Sequence, residues 1–251
     1  MKKPISAVII CLNAGESIGQ TIRSLKSITD DIVVSDSGST DDTKQKVEAA
    51  GARLLEIAWT GYGANKNAAG RRAVNDWILS LDADEWVEDD FTVFMSQVIL
   101  DDPKVQYQFR RLNYLGNKPI RYGEWSRDKV VRLFNRAVTS WDDAPVHEQL
   151  RKPAGAVVLK GDASIRHRTA PNIKSYRIKI MKYAKLMADK NYAQGKTVSL
   201  IKLWFSPLFN FIQNYVFRLG ILDGAEGWQI AAAHAGYTYE KYRLLREMRQ
   251  H

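Results

Sequence analysis

The sequence contains little cysteine and no long uninterrupted apolar stretch. Cys11 is the single cysteine of 251 residues, which excludes an intramolecular disulfide and leads us to expect a buried thiol in a reducing compartment. The apolar run around it covers only about six residues, against roughly 7–15 in the core of a signal peptide. We therefore interpret Ser6–Leu12 as a first strand.

Several signatures of other function classes are missing. No Gly-x-Gly-x-x-Gly follows the first strand and no Gly-x-x-x-x-Gly-Lys-Ser/Thr occurs, so neither a dinucleotide fingerprint nor a phosphate loop is expected. A zinc-ligand set, an RNP-type aromatic strand and a basic heptad helix are also missing. Nucleic-acid binding would rest on basic charge alone. We keep it as a distant alternative and expect no nucleic-acid partner.

Charge is divided unevenly along the chain. Residues 1–150 contain 19 Lys and Arg against 22 Asp and Glu, whereas residues 151–251 contain 18 against 6. The net charge of +9 therefore comes from the C-terminal part. Such asymmetry indicates an anionic partner, which charge alone leaves open between nucleic acid, an anionic membrane and a phosphorylated substrate.

The first hundred residues alternate short apolar strands with helical segments. This order predicts right-handed crossovers and an α/β fold whose ligands lie beyond the carboxyl ends of parallel strands. After the first strand we predict helices at Ser17–Ser27, Thr43–Ala50 and Asn65–Val74, and strands at Asp31–Ser35, Arg53–Ile57 and Trp77–Leu81.

Polar clusters follow three of these strands, at Asn13–Glu16, Asp36–Asp42 and Asp82–Glu85. Asp82 and Asp84 are two residues apart, so both carboxylates can converge on one hard cation at the end of their strand. A solvated strand-to-loop junction is the alternative interpretation.

Nucleotide recognition needs further groups near the same edge. An acid directly after the second strand can accept hydrogen bonds from a ribose hydroxyl or a base N–H, and Asp36 is the candidate. Lys66 or Arg71, on the predicted helix before the acidic strand, could supply positive charge to phosphates.

Four segments of the N-terminal half share the order and spacing of one known family. The segments SAVIICLNAGESI, DIVVSDSGSTDDT, GYGANKNAAG and DWILSLDADEW together resemble the nucleotide-binding half of family 2 glycosyltransferases with the GT-A fold, a Rossmann-like mixed sheet that binds nucleotide-diphosphate sugars. KVVRLFNR and VHEQL, within residues 129–150, extend the resemblance. LGILDGAEGW at 219–228 is similar to bacterial lipopolysaccharide inner-core β-1,4-glucosyltransferases that act on heptose.

The resemblance implies a donor site for a UDP-sugar. Asn13, Glu16 and Asp36 match positions that hold uracil and ribose, and Lys66 and Asn67 would lie near the diphosphate or ribose. Asp82 and Asp84 match the metal-binding Asp-x-Asp, with Asp84 the expected direct ligand of Mg²⁺ or Mn²⁺. The implied reaction is an inverting single displacement that needs one general base.

The resemblance leaves the base open, because the Glu-Asp pair common in this family is missing near 141–150. We expect Glu148 to be the base, with His147 orienting it or contacting the donor and Asp128 in reserve; a surface loop is the alternative interpretation of this segment. His167 ends a short predicted strand, Ala163–Ile165, and is either a metal ligand or structural. The aromatic residues of Tyr122–Trp125 could stack on a sugar or belong to the core.

The C-terminal part reads as helical and basic. Ile173–Ala193 is predicted to be an amphipathic helix with six Lys and Arg residues. The aromatic-rich segment 200–219 is interrupted by polar residues, so it favours an interfacial helix over a spanning one. Packing of its aromatic residues against the catalytic domain is the alternative.

The predicted organisation is a GT-A domain at 1–170 and a basic helical extension at 171–251. The expected activity is metal-dependent transfer of a hexose, glucose by preference, from a UDP-sugar to an inner-core heptose of lipopolysaccharide. Another donor, a lipid-linked saccharide or a protein acceptor is the alternative. We expect a cytoplasmic enzyme that binds the anionic inner face of the inner membrane as a peripheral protein.

Overall fold

The structure is a computed structural model that describes residues 2–142, 144 and 148–249. It divides into two compact units. The sheet unit comprises the chain up to Arg111 together with Lys129–His167, and the helical unit comprises Leu112–Asp128 together with the chain from Arg168 onwards. The sequence suggested one boundary after residue 170, and the structure adds Leu112–Asp128 to the helical unit.

Four parallel strands form the first part of the sheet unit. Helices connect them in the predicted alternation, and the hydrogen-bonded order is β3-β2-β1-β4. The strands are β1 (Ile5–Cys11), β2 (Asp31–Asp36), β3 (Arg53–Glu56) and β4 (Trp77–Asp82), and the helices are α1 (Ile18–Leu25), α2 (Thr43–Ala49) and α3 (Tyr62–Arg71). The predicted elements are confirmed, although α3 begins and ends earlier than the predicted Asn65–Val74.

Local sequence explains these elements. Every residue of β1 is buried, as expected for a parallel strand covered on both faces. Ile18, Ile22 and Leu25 lie on one face of α1 and are fully buried. Gly51 follows α2 with a φ of +73°, a left-handed conformation that only glycine adopts without strain.

The next elements add antiparallel strands. They are β5 (Glu85–Trp86), α4 (Asp89–Gln97), β6 (Val105–Leu115), β7 (Lys118–Ile120), β8 (Lys129–Asn135) and β9 (Val157–Ala170). β8 pairs antiparallel with β4, and β5 pairs with β9 so that Glu85 lies opposite His167. The predicted short strand Ala163–Ile165 lies inside the much longer β9. This mixed sheet, in the order β3-β2-β1-β4-β8-β6-β9-β5, gives the protein its α/β class.

The sheet buries apolar side chains on both faces. One cluster includes Ile22, Leu79, Phe91 and Phe109. The other forms under α3 and includes Val8, Ile78, Phe134 and Trp141. In the register of β1 and β4, Val8 lies opposite Ser80 and Ile10 opposite Asp82, so Asp82 points to the α3 side of the sheet. The predicted buried position of Cys11 is confirmed.

The helical unit is built from α5 (Ile173–Ala193), α6 (Leu200–Ile212) and α7 (Gly224–Glu247), with a π-helical turn at Gln213–Phe217 after α6. The predicted bounds of α5 are confirmed. α7 packs against both α5 and α6, and a core cluster includes Ile120, Trp125, Tyr176 and Ile230. No helix among the described residues is long and apolar enough to span a bilayer.

The motif LGILDGAEGW has a structural explanation within the helical unit. The carboxylate of Asp223 accepts hydrogen bonds from the backbone N–H groups of Arg121 (3.1 Å) and Tyr122 (2.9 Å). A Cβ at Gly227 would lie 1.9 Å from the carbonyl oxygen of Gly220, so the turn into α7 requires glycine there. The motif therefore fixes the residues that precede Trp125.

Candidate active site

The loop after β1 is fastened to the loop after β2 by backbone and side-chain hydrogen bonds. The N–H of Asn13 donates to Ser39 Oγ at 2.8 Å, and Asn13 Oδ1 accepts from the N–H of Thr40 at 2.9 Å. Asn13 has a φ of +50°, which asparagine tolerates better than most residues. Glu16 lies exposed in the same loop. The predicted convergence of these two polar clusters is therefore present in the fold.

Asp36 anchors the second of these loops. Its carboxylate is fully buried and accepts hydrogen bonds from the N–H groups of Gly38 (3.0 Å) and Ser39 (2.9 Å) and from the Ser39 hydroxyl. Burial raises the pKa of Asp36, but these hydrogen bonds outweigh burial and hold the pKa below its usual value. The structure thus gives Asp36 a role within its own loop, and its contact with a nucleotide stays a prediction.

Lys66 and Asp82 form the centre of a buried charge network at the end of β4. Lys66 Nζ lies 3.1 Å from Asp82 Oδ1 and 2.7 Å from Glu148 Oε1, and its ammonium group lies over the ring of Trp141. Burial raises the pKa of Asp82, and the charges of Arg132 and Lys66 more than reverse this, so the pKa lies far below its usual value. Asp82 is therefore a carboxylate held by two cations.

Sequence reasoning assigned no role to Glu85 or Arg132, which complete this network. Arg132 Nη2 donates to Asp82 Oδ2 at 2.6 Å and to Glu85 Oε1 at 2.7 Å. Glu85 is fully buried, pairs with Arg111 at 3.0 Å, and accepts a hydrogen bond from the N–H of Asp82. Glu85 and Arg132 therefore fix the turn that carries the two aspartates. An acid just after an apolar strand was the available signal for Glu85.

Asp84 and His167 come together at the outer side of the same turn. The pairing of β5 with β9 places His167 Nε2 3.5 Å from Asp84 Oδ2, and the Asp84 side chain is 44% exposed. Among the described residues, no group of three or more metal-type ligands assembles. The turn therefore places one partly exposed carboxylate, Asp84, beside one imidazole, whereas the carboxylate of Asp82 is paired with Lys66 and Arg132.

The two other predicted donor contacts lie on α3. The amide of Asn67 donates to the carbonyl of Trp141 and accepts from its N–H, both at 2.9 Å, so it clamps the segment after β8. Arg71 is exposed and lines a cavity of about 260 Å³ together with Lys66, Asn67 and Ser80. Contact of Asn67 or Arg71 with a donor stays a prediction.

The candidate bases have different surroundings. Glu148 is bound to Lys66, as described above. Asp128, in the helical unit, accepts a hydrogen bond from Asn113 Nδ2 at 3.0 Å, and Asn113 Oδ1 in turn accepts from Thr169 Oγ1 at 2.7 Å. His147 lies outside the described residues. Trp125 is buried in the helical unit's core and contacts Tyr176, so it is a core residue rather than a sugar-stacking surface.

Comparison with known proteins identifies the family. The family model described as glycosyl transferase family 2 matches residues 6–152. The lipopolysaccharide core biosynthesis glycosyltransferase LpsC of Rhizobium meliloti is 31% identical over 95% of this chain and 90% of its own. An uncharacterized glycosyltransferase of Rickettsia conorii is 28% identical over 98% of this chain and 91% of its own.

Solved structures give a weaker likeness. Glucosyl-3-phosphoglycerate synthase from Mycobacterium tuberculosis, in complex with Mn²⁺ and UDP-glucose, matches with a TM-score of 0.35 and 24% identity, over 45% of this chain and 44% of that chain. The family match covers more than half of this chain, and the mixed sheet with its helical crossovers agrees with the GT-A fold of that family. The chain is therefore a glycosyltransferase that belongs to family 2.

Proposed function

We propose that this enzyme transfers a hexose, with glucose preferred, from a UDP-sugar to a heptose of the lipopolysaccharide inner core. The observation that carries the proposal is the cation-braced turn Asp82–Glu85 at the carboxyl edge of the sheet, where open α/β sheets bind their ligands. The name of the LpsC relative supports a lipopolysaccharide core acceptor. The preference for glucose comes from the resemblance of residues 219–228.

A divalent cation fits the outer side of this turn. The exposed Asp84 carboxylate supplies oxygen and the adjacent His167 supplies nitrogen, a donor set that suits Mn²⁺ and is compatible with Mg²⁺. Asp84 and His167 would hold the ion, which would neutralise charge that develops on the departing diphosphate. Asp82 would act indirectly, because Lys66 and Arg132 already occupy its carboxylate.

Glu148 is the first candidate for the base, and Asp128 is the second. Glu148 belongs to the sheet unit, and its carboxylate lies 2.7 Å from Lys66 Nζ, which also contacts Asp82 of the acidic turn. Asp128 accepts a hydrogen bond from Asn113 within the helical unit. In the proposed reaction, Glu148 takes the proton of the acceptor hydroxyl while the hydroxyl oxygen attacks the anomeric carbon. The bond from that carbon to UDP breaks, and UDP departs with the electron pair.

A transfer assay tests the proposal. Purified enzyme is incubated with UDP-glucose, UDP-galactose or UDP-N-acetylglucosamine and with core saccharide that ends at the heptose, and the anomeric configuration of the product is read by NMR. We expect a β-linked glucose product that disappears with EDTA and returns with Mn²⁺. Full activity in EDTA would contradict the metal, and transfer of another sugar or to another saccharide would contradict the donor or acceptor.

Two pairs of variants assign the residues. Asp84→Asn should lower turnover by at least about a hundredfold at limiting metal, because the variant lacks a carboxylate ligand. Asp89→Asn, an exposed acid at the start of α4, is the matched control and should retain activity.

For the base, Glu148→Gln should abolish turnover but leave UDP-glucose binding measurable in calorimetry. We expect Asp128→Asn to lose less turnover. The reverse ranking of the two variants would give the base role to Asp128.

A further inference from the structure

α6 presents an apolar stripe to solvent. Each member lies three or four residues from another member, so the members share one helix face. The most exposed are Ile201 at 77%, Phe205 at 68% and Trp204 at 64%. The stripe comprises Ile201, Trp204, Phe205, Leu208, Phe209 and Ile212 of α6, and Val216 in the following π-helical turn continues it. An exposed apolar surface of this extent, without a charged member, marks a site of interaction.

The opposite face of α6 has the partners expected of a packed helix. Leu203 is buried, and Asn214, just after the helix, is buried and donates to the carbonyl of Asn210 at 3.1 Å. α7 packs along α6. The inner face of α6 therefore packs against α7, and the aromatic side chains of the stripe lie on the exposed outer face.

Three lysines lie together near the beginning of the stripe. Lys202 and Lys241 both lie over the ring of Tyr242, with Nζ to centroid distances of 5.3 Å and 4.7 Å. Burial and then the charges of Lys202 and Lys196 lower the pKa of Lys241. In the described part of the chain, the three ammonium groups form no ion pair with a carboxylate. This lysine cluster, Lys196, Lys202 and Lys241, thus offers concentrated positive charge.

We propose that the apolar stripe of α6 inserts among the acyl chains of an anionic bilayer while the lysine cluster contacts the phosphates of its lipids. The proposal deepens the proposed function and rests on it for the acceptor, because a lipid-anchored core saccharide presents its heptose at such a surface. The membrane expected is the inner membrane, at its cytoplasmic face. The protein would lie on the bilayer as a peripheral enzyme.

The chemistry of the surface favours lipid over a second copy of the chain. Tryptophan and phenylalanine on one helix face with lysines beside them is the composition of an interfacial helix. Anionic headgroups complement the lysine cluster, whereas a second copy would bring its own like-charged cluster to a symmetric contact. The occupant is therefore a lipid surface.

Vesicle flotation tests the stripe with the full-length protein. Vesicles of phosphatidylethanolamine and phosphatidylglycerol should carry the wild type upward, and Trp204→Ser with Phe205→Ser should reduce the floated fraction more than about tenfold. Val93→Ser with Ile99→Ser removes two apolar side chains that are 56% and 69% exposed in the sheet unit and should float like the wild type. Equal flotation of both double variants would overturn the proposal.

Two triple variants with the same change in net charge test whether the position of the lysines matters. Changing Lys196, Lys202 and Lys241 to Gln should weaken vesicle binding more than about tenfold. The same change at Lys174, Lys179 and Lys185, exposed on α5, removes equal charge and should weaken binding much less. Equal losses in the two triple variants would contradict a headgroup site at the lysine cluster.

Insertion can be measured without weakening the fold. Brominated lipids should quench part of the tryptophan fluorescence, and Trp204→Phe should lose that quenched component while still floating. Quenching that persists unchanged in Trp204→Phe would overturn insertion of α6. A wild type that is dimeric by light scattering and becomes monomeric in the Trp204→Ser, Phe205→Ser variant would show instead that the stripe joins two copies.

Donor binding and flotation together distinguish failure of the membrane proposal from failure of the proposed function. UDP-glucose binding in calorimetry, without vesicles, should be equal in the wild type and in all stripe and lysine-cluster variants. Normal donor binding with no flotation of the wild type would reject only the membrane proposal, and flotation with no binding of any UDP-sugar would reject only the donor.

Discussion

The two units of this protein use charge in different ways. In the sheet unit, Lys66 and Arg132 are buried and lie within hydrogen-bonding distance of carboxylates. In the helical unit, the lysine cluster faces tyrosine rings and other lysines. Paired charges fix a site in one geometry, whereas unpaired surface charges attract a partner over a distance. The net charge of the chain therefore says little about its catalytic site.

Apolar side chains show the same contrast. The sheet unit has apolar clusters on both faces of the sheet and also exposes apolar side chains such as Val93 and Ile99, whereas α6 exposes a whole stripe on one helix face. Large apolar groups left in water cost free energy unless a partner covers them. The comparison teaches that the apolar residues of the sheet unit mainly build its core, whereas the helical unit also has a continuous apolar surface fit for a partner.

The strongest test of the buried network is removal of Glu85. Glu85→Gln leaves Arg132 and Arg111 without a shared buried counter-charge, so we expect a loss of about 3–5 kcal/mol in the free energy of unfolding. Glu88→Gln, which removes an exposed partner of Arg166, should cost at most about 1 kcal/mol. Urea unfolding measures both. Equal losses of unfolding free energy in the two variants would mean that the buried network stabilises the fold no more than a surface ion pair does.

The helical unit should respond to mild acid through His234. Burial and the charge of Arg218 lower the pKa of His234 to about 4, against about 6.5 in an unfolded chain. Between these values the unfolded chain binds a proton that the folded chain does not, so stability falls as the pH falls from 6.5 to 4. The expected loss from this residue is up to about 3 kcal/mol.

A variant isolates this contribution. His234→Gln removes the titrating group while an amide can still bond to Tyr176, whose hydroxyl lies 2.8 Å from His234 Nε2. The difference in stability between pH 7.5 and pH 4.5, measured by urea unfolding, should shrink in the variant. An unchanged difference would show that His234 does not carry the acid sensitivity of the helical unit.

The sequence contained enough to predict the parallel part of the sheet and the position of the acidic turn. Periodicity and chain order determine these, because strands joined by helices can pair in few ways. The site network could not be predicted, because Arg132 reaches Asp82 from β8, which is antiparallel and distant in sequence. Spacing shows which side of a strand a residue faces, but not which strand will lie beside it.

The same limit applies to the unit boundary and to Asp36. Leu112–Asp128 belongs to the helical unit, because its turns are held by Asp223, about a hundred residues later. Asp36, the last residue of β2, binds Gly38 and Ser39 of its own loop, and its predicted contact with ribose or base stays a prediction. Both features depend on local or distant polar partners that apolar patterning does not reveal.

The smallest expected effect concerns this aspartate. Asp36→Asn replaces a carboxylate that accepts from two N–H groups and a hydroxyl, and should cost about 1–3 kcal/mol at pH 7. The folded pKa of Asp36 is lowered, so its stabilisation is present above the unfolded value of about 3.9 and is lost as the pH falls through the folded pKa. The variant should therefore lose less stability than the wild type between pH 5 and pH 3.

Asp30→Asn is the control for this prediction, since Asp30 is a largely exposed acid paired with Lys2 at the surface. It should change stability at pH 7 by no more than about 0.5 kcal/mol. If Asp36→Asn behaved like Asp30→Asn at neutral pH, the loop after β2 would not depend on its buried carboxylate. The stabilising role of Asp36 in its own loop would then be wrong, and its predicted contact with ribose or base would be the role left to measure.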